Sequence, residues 1–213
     1  NKRYKNYEKD FIIGKEKVEN DDYNDIIFVN RNANEITIPF FIKRILPHSM
    51  SNSLIEKIII PQKVTEIHHH SFYNCRFLEK IEFSQNSELQ VLKRKSFKNT
   101  RIKRIVIPST VIEIEEGSLL NLIDVKLMVD NKNYKNHDDG FLLRKTDPNV
   151  DVYDELFFAN RKNKYAKIPP FINKIASHAF DSSLIEKIVI PSNVKRVNKR
   201  AFYLSHLKMI QFQ

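Results

Sequence analysis

A single cysteine, Cys75, rules out an internal disulfide framework. It sits three residues after Phe72, where the equivalent Thr100 and Ser205 are also small, and reads as a half-buried turn residue and not a reactive thiol. With only three glycines the chain has no phosphate-cradling loop and no nucleophile elbow. His and Ser co-occur mainly in repeat-equivalent turns, so no enzyme is expected. No run of about 18 apolar residues is present, and nothing reads as a membrane-spanning helix. The acids Asp21-Asp22 with Asp25, and Asp138-Asp139 with Asp151, lack the ligand spacing and the glycine of an EF-hand loop; they read as solvated hairpin ends. The formal charge of +10 bears on association with nucleic acid, anionic glycan or acidic protein, and not on fold. That excess is spread along the chain, without a dense basic block or the basic and aromatic interleaving of a single-strand nucleic-acid binder.

What is present is a repeat. A pattern of apolar-x-x-apolar-x-apolar, then Pro, then apolar-x-x-apolar, then a small residue and an aromatic returns about every 22 residues, within the roughly 20 to 29 of a leucine-rich repeat. The terminal anchors are Met50, Phe72, Phe97, Leu119, Phe180 and Phe202. The inward apolars are Ile55/Ile58/Ile60, Leu78/Ile81/Phe83, Ile102/Ile105/Ile107, Ile185/Ile188/Ile190 and Leu207/Ile210/Phe212. The Leu119 copy reads Asp124/Leu127/Val129, with an acid at an apolar position. Pro39, Pro61, Pro108, Pro169 and Pro191 close each strand, since proline cannot donate to the ladder. The pairs Ile42/Ile45, Val64/Ile67, Val111/Ile114, Ile172/Ile175 and Val194/Val197 follow them. In the copy that ends at Phe97, Ser84 to Glu88 replaces the proline ahead of Leu89/Leu92.

A longer period lies over the first. Residues 1–73 align without a gap on 131–203, so the chain holds a super-repeat, 1–130, and part of a second, 131–213. Phe11-Ile12-Ile13 with Ile26-Ile27-Phe28-Val29, and Phe141-Leu142-Leu143 with Leu156-Phe157-Phe158-Ala159, predict the two strands of a hairpin inserted at about 1–35 and 130–165. The segment between the second pair, Lys145 to Asp154, reads as a polar, mobile connection. No domain boundary is visible, and one continuous solenoid over 1–213 is expected. Because the chain lacks an initiating Met and begins within a super-repeat, it reads as a fragment, and a missing signal peptide says nothing about the parent.

The repeat I-x-I-P-x-x-V-x-x-I-x-x-x-[SA]-F, here Ile188-Val189-Ile190-Pro191 through Val194, Val197 and Ala201-Phe202, resembles the BspA-like, or treponemal-type, leucine-rich repeat. The N-K-x-Y-K-N segments and the richness in Asn, Lys and Ile are most similar to the trichomonad expansion of that family. The resemblance implies a surface-exposed or secreted, adhesin-like protein that binds host or matrix protein. It also implies a glycine after the second apolar pair. Leu46, His68, Lys93, Glu115, Ala176 and Asn198 stand there instead, and predict turns without positive φ. The fold expectation is a right-handed, curved, mainly β solenoid with short helical turns near each Phe and continuous inward columns.

Equivalent positions of successive coils stack about 4.8 Å apart, so columns matter more than motifs. One outward column reads Lys57, Lys80, Arg104, Lys126, Lys187 and Met209; its neighbour reads Ile59, Glu82, Val106, Met128, Val189 and Gln211. Glu56, Glu79 and Glu186 sit beside the basic column to neutralise part of its field. A contiguous apolar row is what an interaction patch looks like. The protein-binding face is therefore placed on Lys57, Ile59, Lys80, Glu82, Arg104, Val106, Lys126, Met128, Lys187 and Val189. No cofactor is expected. His68-His69-His70 does not suggest a metal, because a consecutive triple points its rings apart. The column His48, His70 and His178 reads as solvated turn histidines, although His48 and His70 on adjacent coils could share a proton or an ion.

Two functional classes follow. The first is a non-catalytic module binding a host or matrix protein at the cell surface or after secretion. The second is a cytoplasmic scaffold, or a binder of an anionic polymer such as a glycan or nucleic acid, acting through the basic column. The lack of any N-x-[ST] acceptor among 21 asparagines leans to the second. Exposed strand edges at the two ends predict self-association.

Overall fold

The computed structural model describes residues 3–17, 19 and 22–213. Asn1 and Lys2 of the first N-K-x-Y-K-N segment and Asp21 of the first acidic group lie outside them. The chain forms a repeat-based β-solenoid of about nine turns. Two compact units are present, Asn1–Lys103 with Glu113–Asn121, and Arg104–Ile112 with Leu122–Gln213.

In the first unit the long apolar runs give parallel strands Lys57–Ile60 and Lys80–Phe83, with Ile58 opposite Ile81 and Ile60 opposite Phe83. The apolar pair after each turn gives a two-residue strand: Arg44–Ile45, Glu66–Ile67, Val91–Leu92 and Glu113–Ile114 stack in parallel register. Their inward residues Ile45, Ile67, Leu92 and Ile114 are buried, together with the anchors Met50, Phe72, Phe97 and Leu119. Phe72 and Phe97 stack at 5.6 Å between ring centroids. This second ladder continues into Asp25–Val29, Phe11–Gly14 and Tyr4–Tyr7, so the inserted segment is the antiparallel end of a seven-stranded sheet.

The second unit repeats the plan. Tyr134–His137, Phe141–Arg144 and Glu155–Ala159 run antiparallel, then hand over to the parallel strands Lys174–Ile175 and Arg196–Val197. Tyr165–Lys167, Lys187–Ile190 and Met209–Phe212 form a three-stranded parallel sheet, and Arg104–Ile107 pairs with Asp124–Leu127. Both antiparallel parts carry a register shift at the same place, Ile12/Ile13 and Leu142/Leu143. The expected hairpins thus contain a third strand each, Tyr4–Tyr7 and Tyr134–His137, whose polar, aromatic sequence gave no apolar alternation to read.

Proline sets the corner between the ladders. The Pro39, Pro61, Pro108, Pro169 and Pro191 carbonyls each accept the N–H three residues on, closing a β-turn. Ser84 does the same in the proline-free coil, accepting from Ser87, and its own N–H and hydroxyl both reach the Ile60 carbonyl at 3.1 Å.

No helix forms near the anchors among the described residues. In the coil of Phe72, the N–H groups of Ser71, Tyr73 and Cys75 bond back three residues to His68, His70 and Phe72, as in three overlapping turns. The run is broken by left-handed backbone on either side of the anchor. His48, His70, Lys95, Gly117, His178 and Arg200 precede it by two residues with φ of 58° to 80°, and Asn52, Asn74, Asn99, Asn121, Ser182 and Leu204 follow it by two with φ of 53° to 71°. Positive φ is thus present in these turns, two residues beyond the position expected to require glycine. Its role is visible in the bonding: it turns the anchor N–H along the stack, so that Met50 donates to Ser71 O, Phe72 to Ser96 O and Phe180 to Ala201 O at 2.7 to 2.9 Å.

The Leu119 coil is also corrected. Its inward residues are Leu122, Val125 and Leu127, all buried, while Val129 is 63% exposed. The turn after the anchor is two residues shorter than that after Phe97, so the acid Asp124 points outward and no inward position is lost.

Candidate interaction face and histidine cluster

In the first unit, Lys57 and Lys80 stand opposite one another and share Glu82, at 3.2 and 2.5 Å. Hydrogen bonds from Lys80 and then Lys57 hold the Glu82 carboxyl below its usual range. Ile59, opposite Glu82, is half exposed. The charges expected beside this column act elsewhere: Glu79 meets Arg101 at 3.5 Å, and in the second unit Glu186 meets Lys208 at 2.9 Å and Lys164 at 3.8 Å.

In the second unit, Arg104 stands opposite Asp124 and Lys126 opposite Val106. The expected column that set Arg104 beside Lys126 and Val106 beside Met128 is therefore out by two residues, for the same shortened turn. Met128 lies just past its strand, where its N–H reaches the Ile107 carbonyl at 2.8 Å. Asp124 accepts a bond from Asn160. Val106, Met128 and Val129 are all exposed. Lys187 lies between Tyr165 and Met209, both exposed. Val189 is a correction: only 4% of it is accessible, because it sits on the centre strand with Lys167 and Gln211 beside it on the two flanking strands.

The second feature lies on the anchor turns of the first unit. His48 and His70 stack with ring centroids 5.0 Å apart and planes 7° apart. His69 meets both edge-on, and its Nδ1 lies 3.2 Å from Nδ1 of His70. His68, the remaining member of the triple, meets Glu66 at 2.9 Å and lines the same depression as the other three. The rings that should splay apart converge because the left-handed residues at 48 and 70 give two adjacent coils the same side-chain direction. Lys93, Arg94 and Glu115 complete the rim of a depression of about 480 Å³. Burial, aided by His48, Lys95, His69 and Arg94, pushes His70 below the ordinary histidine pKa. His178 belongs to the second unit, where its Nδ1 bonds Asp181 at 2.6 Å.

Several charged residues are structural. Asp25, expected at a solvated hairpin end, is buried and gripped through two bonds by Arg44, at 2.8 and 2.7 Å. Its counterpart Glu155 is buried between Arg144 and Lys174, at 2.6 and 2.9 Å. Arg31 donates to the His48 carbonyl and to Ser51 Oγ, both at 3.2 Å. Its counterpart Arg161 donates to the carbonyls of His178 and Ala179. Burial pushes Arg161 down to about 9, so it stays charged at neutral pH. Asp25/Glu155, Arg44/Lys174 and Arg31/Arg161 stand 130 positions apart in the gap-free alignment, which was the available signal, whereas Arg144 falls on Gly14. Asp138 and Asp151 are exposed, and Asp151 meets Lys145 at 2.8 Å. Cys75 is fully buried, its thiol donating to the Met50 carbonyl at 3.0 Å, and burial raises its pKa.

A coil of one exposed-face strand, a proline corner, a second short strand and a buried aromatic turn defines a leucine-rich-repeat protein. The chain belongs to the BspA-type leucine-rich-repeat family, whose repeat region matches residues 21–126 and 146–213 in six copies. The crystal structure of the pneumococcal vaccine antigen PcpA matches with a TM-score of 0.71 and 20% identity, over 80% of this chain and 42% of that one. A leucine-rich repeat protein from Eubacterium ventriosum matches with a TM-score of 0.60 and 18% identity, over 84% of this chain and 60% of that one. At such identities the likeness is one of fold, and this chain spans less than two thirds of either. No curated protein matches.

Proposed function

We propose that this chain is a non-catalytic protein-interaction module of an adhesin-like surface or secreted protein, whose first-ladder strands present the binding face to a host or matrix protein. The observation that carries the reading is the set of half-exposed apolar side chains on otherwise charged strands, Ile59 in the first unit and Val106, Tyr165 and Met209 in the second, with Met128 just past its strand. An exposed apolar side chain gains nothing from the fold that holds it out, and on rigid strands it is the kind of anchor that dominates binding energy. The family and the vaccine-antigen relative support a surface setting. The N-K-x-Y-K-N segments keep the trichomonad branch as the proposed kinship. The basic column supports an anionic-polymer ligand less well, since Glu82 serves Lys57 and Lys80 while Arg104 faces Asp124.

The test is a pull-down from host-cell surface extract, with light scattering to follow oligomer size. Ile59→Asp with Val106→Asp should abolish partner capture and leave the melting temperature unchanged. Gln213→Glu, next to the strand Met209–Phe212, should leave capture intact. A face variant that keeps its partner while the edge variant loses it would overturn the reading.

A further inference from the structure

We propose that His48, His69 and His70 form a binding site for a divalent transition-metal ion, with zinc the best match to three imidazoles. Their candidate ligand nitrogens all lie within 4.8 Å of one another, and Nδ1 of His69 and Nδ1 of His70 are already 3.2 Å apart. Two nitrogens bound to one tetrahedral zinc at 2.0 to 2.1 Å are separated by about 3.3 Å. One edge of the tetrahedron is thus in place, and rotation of the exposed His48 ring about its side-chain bonds supplies the third ligand. The fourth position opens to the depression rimmed by Lys93, Arg94 and Glu115, where water completes the shell.

The backbone makes this arrangement specific. His48 and His70 occupy the same left-handed turn position on neighbouring coils, with φ of 59° and 58°, and Arg31 holds the His48 carbonyl. Left-handed backbone is uncommon for a residue with a side chain, and the two equivalent turns direct their imidazoles in parallel. Lys93 is occupied by Glu113 and Glu115, at 3.4 and 3.0 Å, and Glu115 also takes the Arg94 N–H, so that carboxylate is already committed. Glu66 is turned to His68. The donor set is therefore nitrogen alone, which suits zinc, nickel and copper and does not suit calcium or magnesium.

The experiment is a competition titration of the chain with zinc chloride against a chromophoric chelator, in a buffer that does not bind metal. One equivalent should bind at about pH 7.5 and be released at about pH 5.5, as the imidazoles protonate. His48→Asn and His69→Ala should each weaken binding by about tenfold or more, Asn being chosen at 48 because it tolerates the left-handed backbone. His178→Asn, at the equivalent turn of the second unit, should bind as the parent does. The ring signals of His48, His69 and His70 should shift together in a histidine-detected NMR titration. Failure to take up a saturable equivalent, or uptake unchanged in a folded His48→Asn variant, would overturn the proposal.

Discussion

Four serines precede four anchors, at Ser49, Ser71, Ser96 and Ser118, and each buries a hydroxyl that finds no hydrogen-bond partner among the described residues. The second unit places Ala179 and Ala201 at the same position. A buried hydroxyl without a partner loses its water and gains nothing in return, so its removal should be free or favourable. Ser71→Ala is expected to leave stability unchanged or raise it by up to about 1 kcal/mol in chemical denaturation. Its neighbour behaves oppositely: Phe72→Ala opens a hole against Phe97 and should cost about 3 to 5 kcal/mol. A loss of stability in Ser71→Ala comparable with that of Phe72→Ala would mean that the hydroxyl is satisfied.

At the scale of the element, the coil around Leu119 shows what spacing can and cannot reveal. The strands, the proline corners and, up to the coil of Phe180, the inward apolars and buried anchors were legible because each rests on side-chain type at a fixed period; in the last coil Val197, Ile210 and Phe212, read as inward, are exposed. The shortened turn was not, since it leaves apolar residues at two competing registers, Leu122/Val125/Leu127 and Leu127/Val129, and only packing selects between them. The selection is testable by truncation. Leu122→Ala should cost about 2 to 5 kcal/mol, while Val129→Ala should change stability by less than about 0.5 kcal/mol. The reverse order would restore the register read from the sequence. Backbone geometry was equally hidden. His, Lys, Arg and Leu at left-handed positions do not announce positive φ, and only Asn52, Asn74, Asn99, Asn121 and Gly117 carried the usual sign of it. The histidine cluster depended on that geometry, so the sequence showed its members and not their convergence. Val189 failed for a related reason: alternation tells which face a residue occupies, but its cover depends on how many strands flank it.

For the molecule as a whole, a charge of +10 produces a field that attracts any polyanion, and local pairing decides whether the sheet face takes part. Glu82→Gln removes the carboxylate that Lys57 and Lys80 share and leaves both lysines on an unchanged strand. The variant should elute from heparin at higher salt than the parent, with its melting temperature little altered because exposed ion pairs add little stability. Unchanged elution would show that the two lysines are already available and would strengthen the case for the anionic ligand.

The antiparallel strand Asp25–Val29 hands its free edge to Arg44–Ile45, and 130 residues later Glu155–Ala159 hands the same edge to Lys174–Ile175 in the same register. Every junction a coil needs is already encoded by its neighbour. Unequal recombination between the two gene segments could therefore lengthen or shorten the array by a whole block without inventing a new interface. Mutations could meanwhile collect on the outward positions and leave the stacking intact. A binding surface can thus change without disturbing the fold, because the outward residues and the residues that stack are written in alternate positions of the same strand.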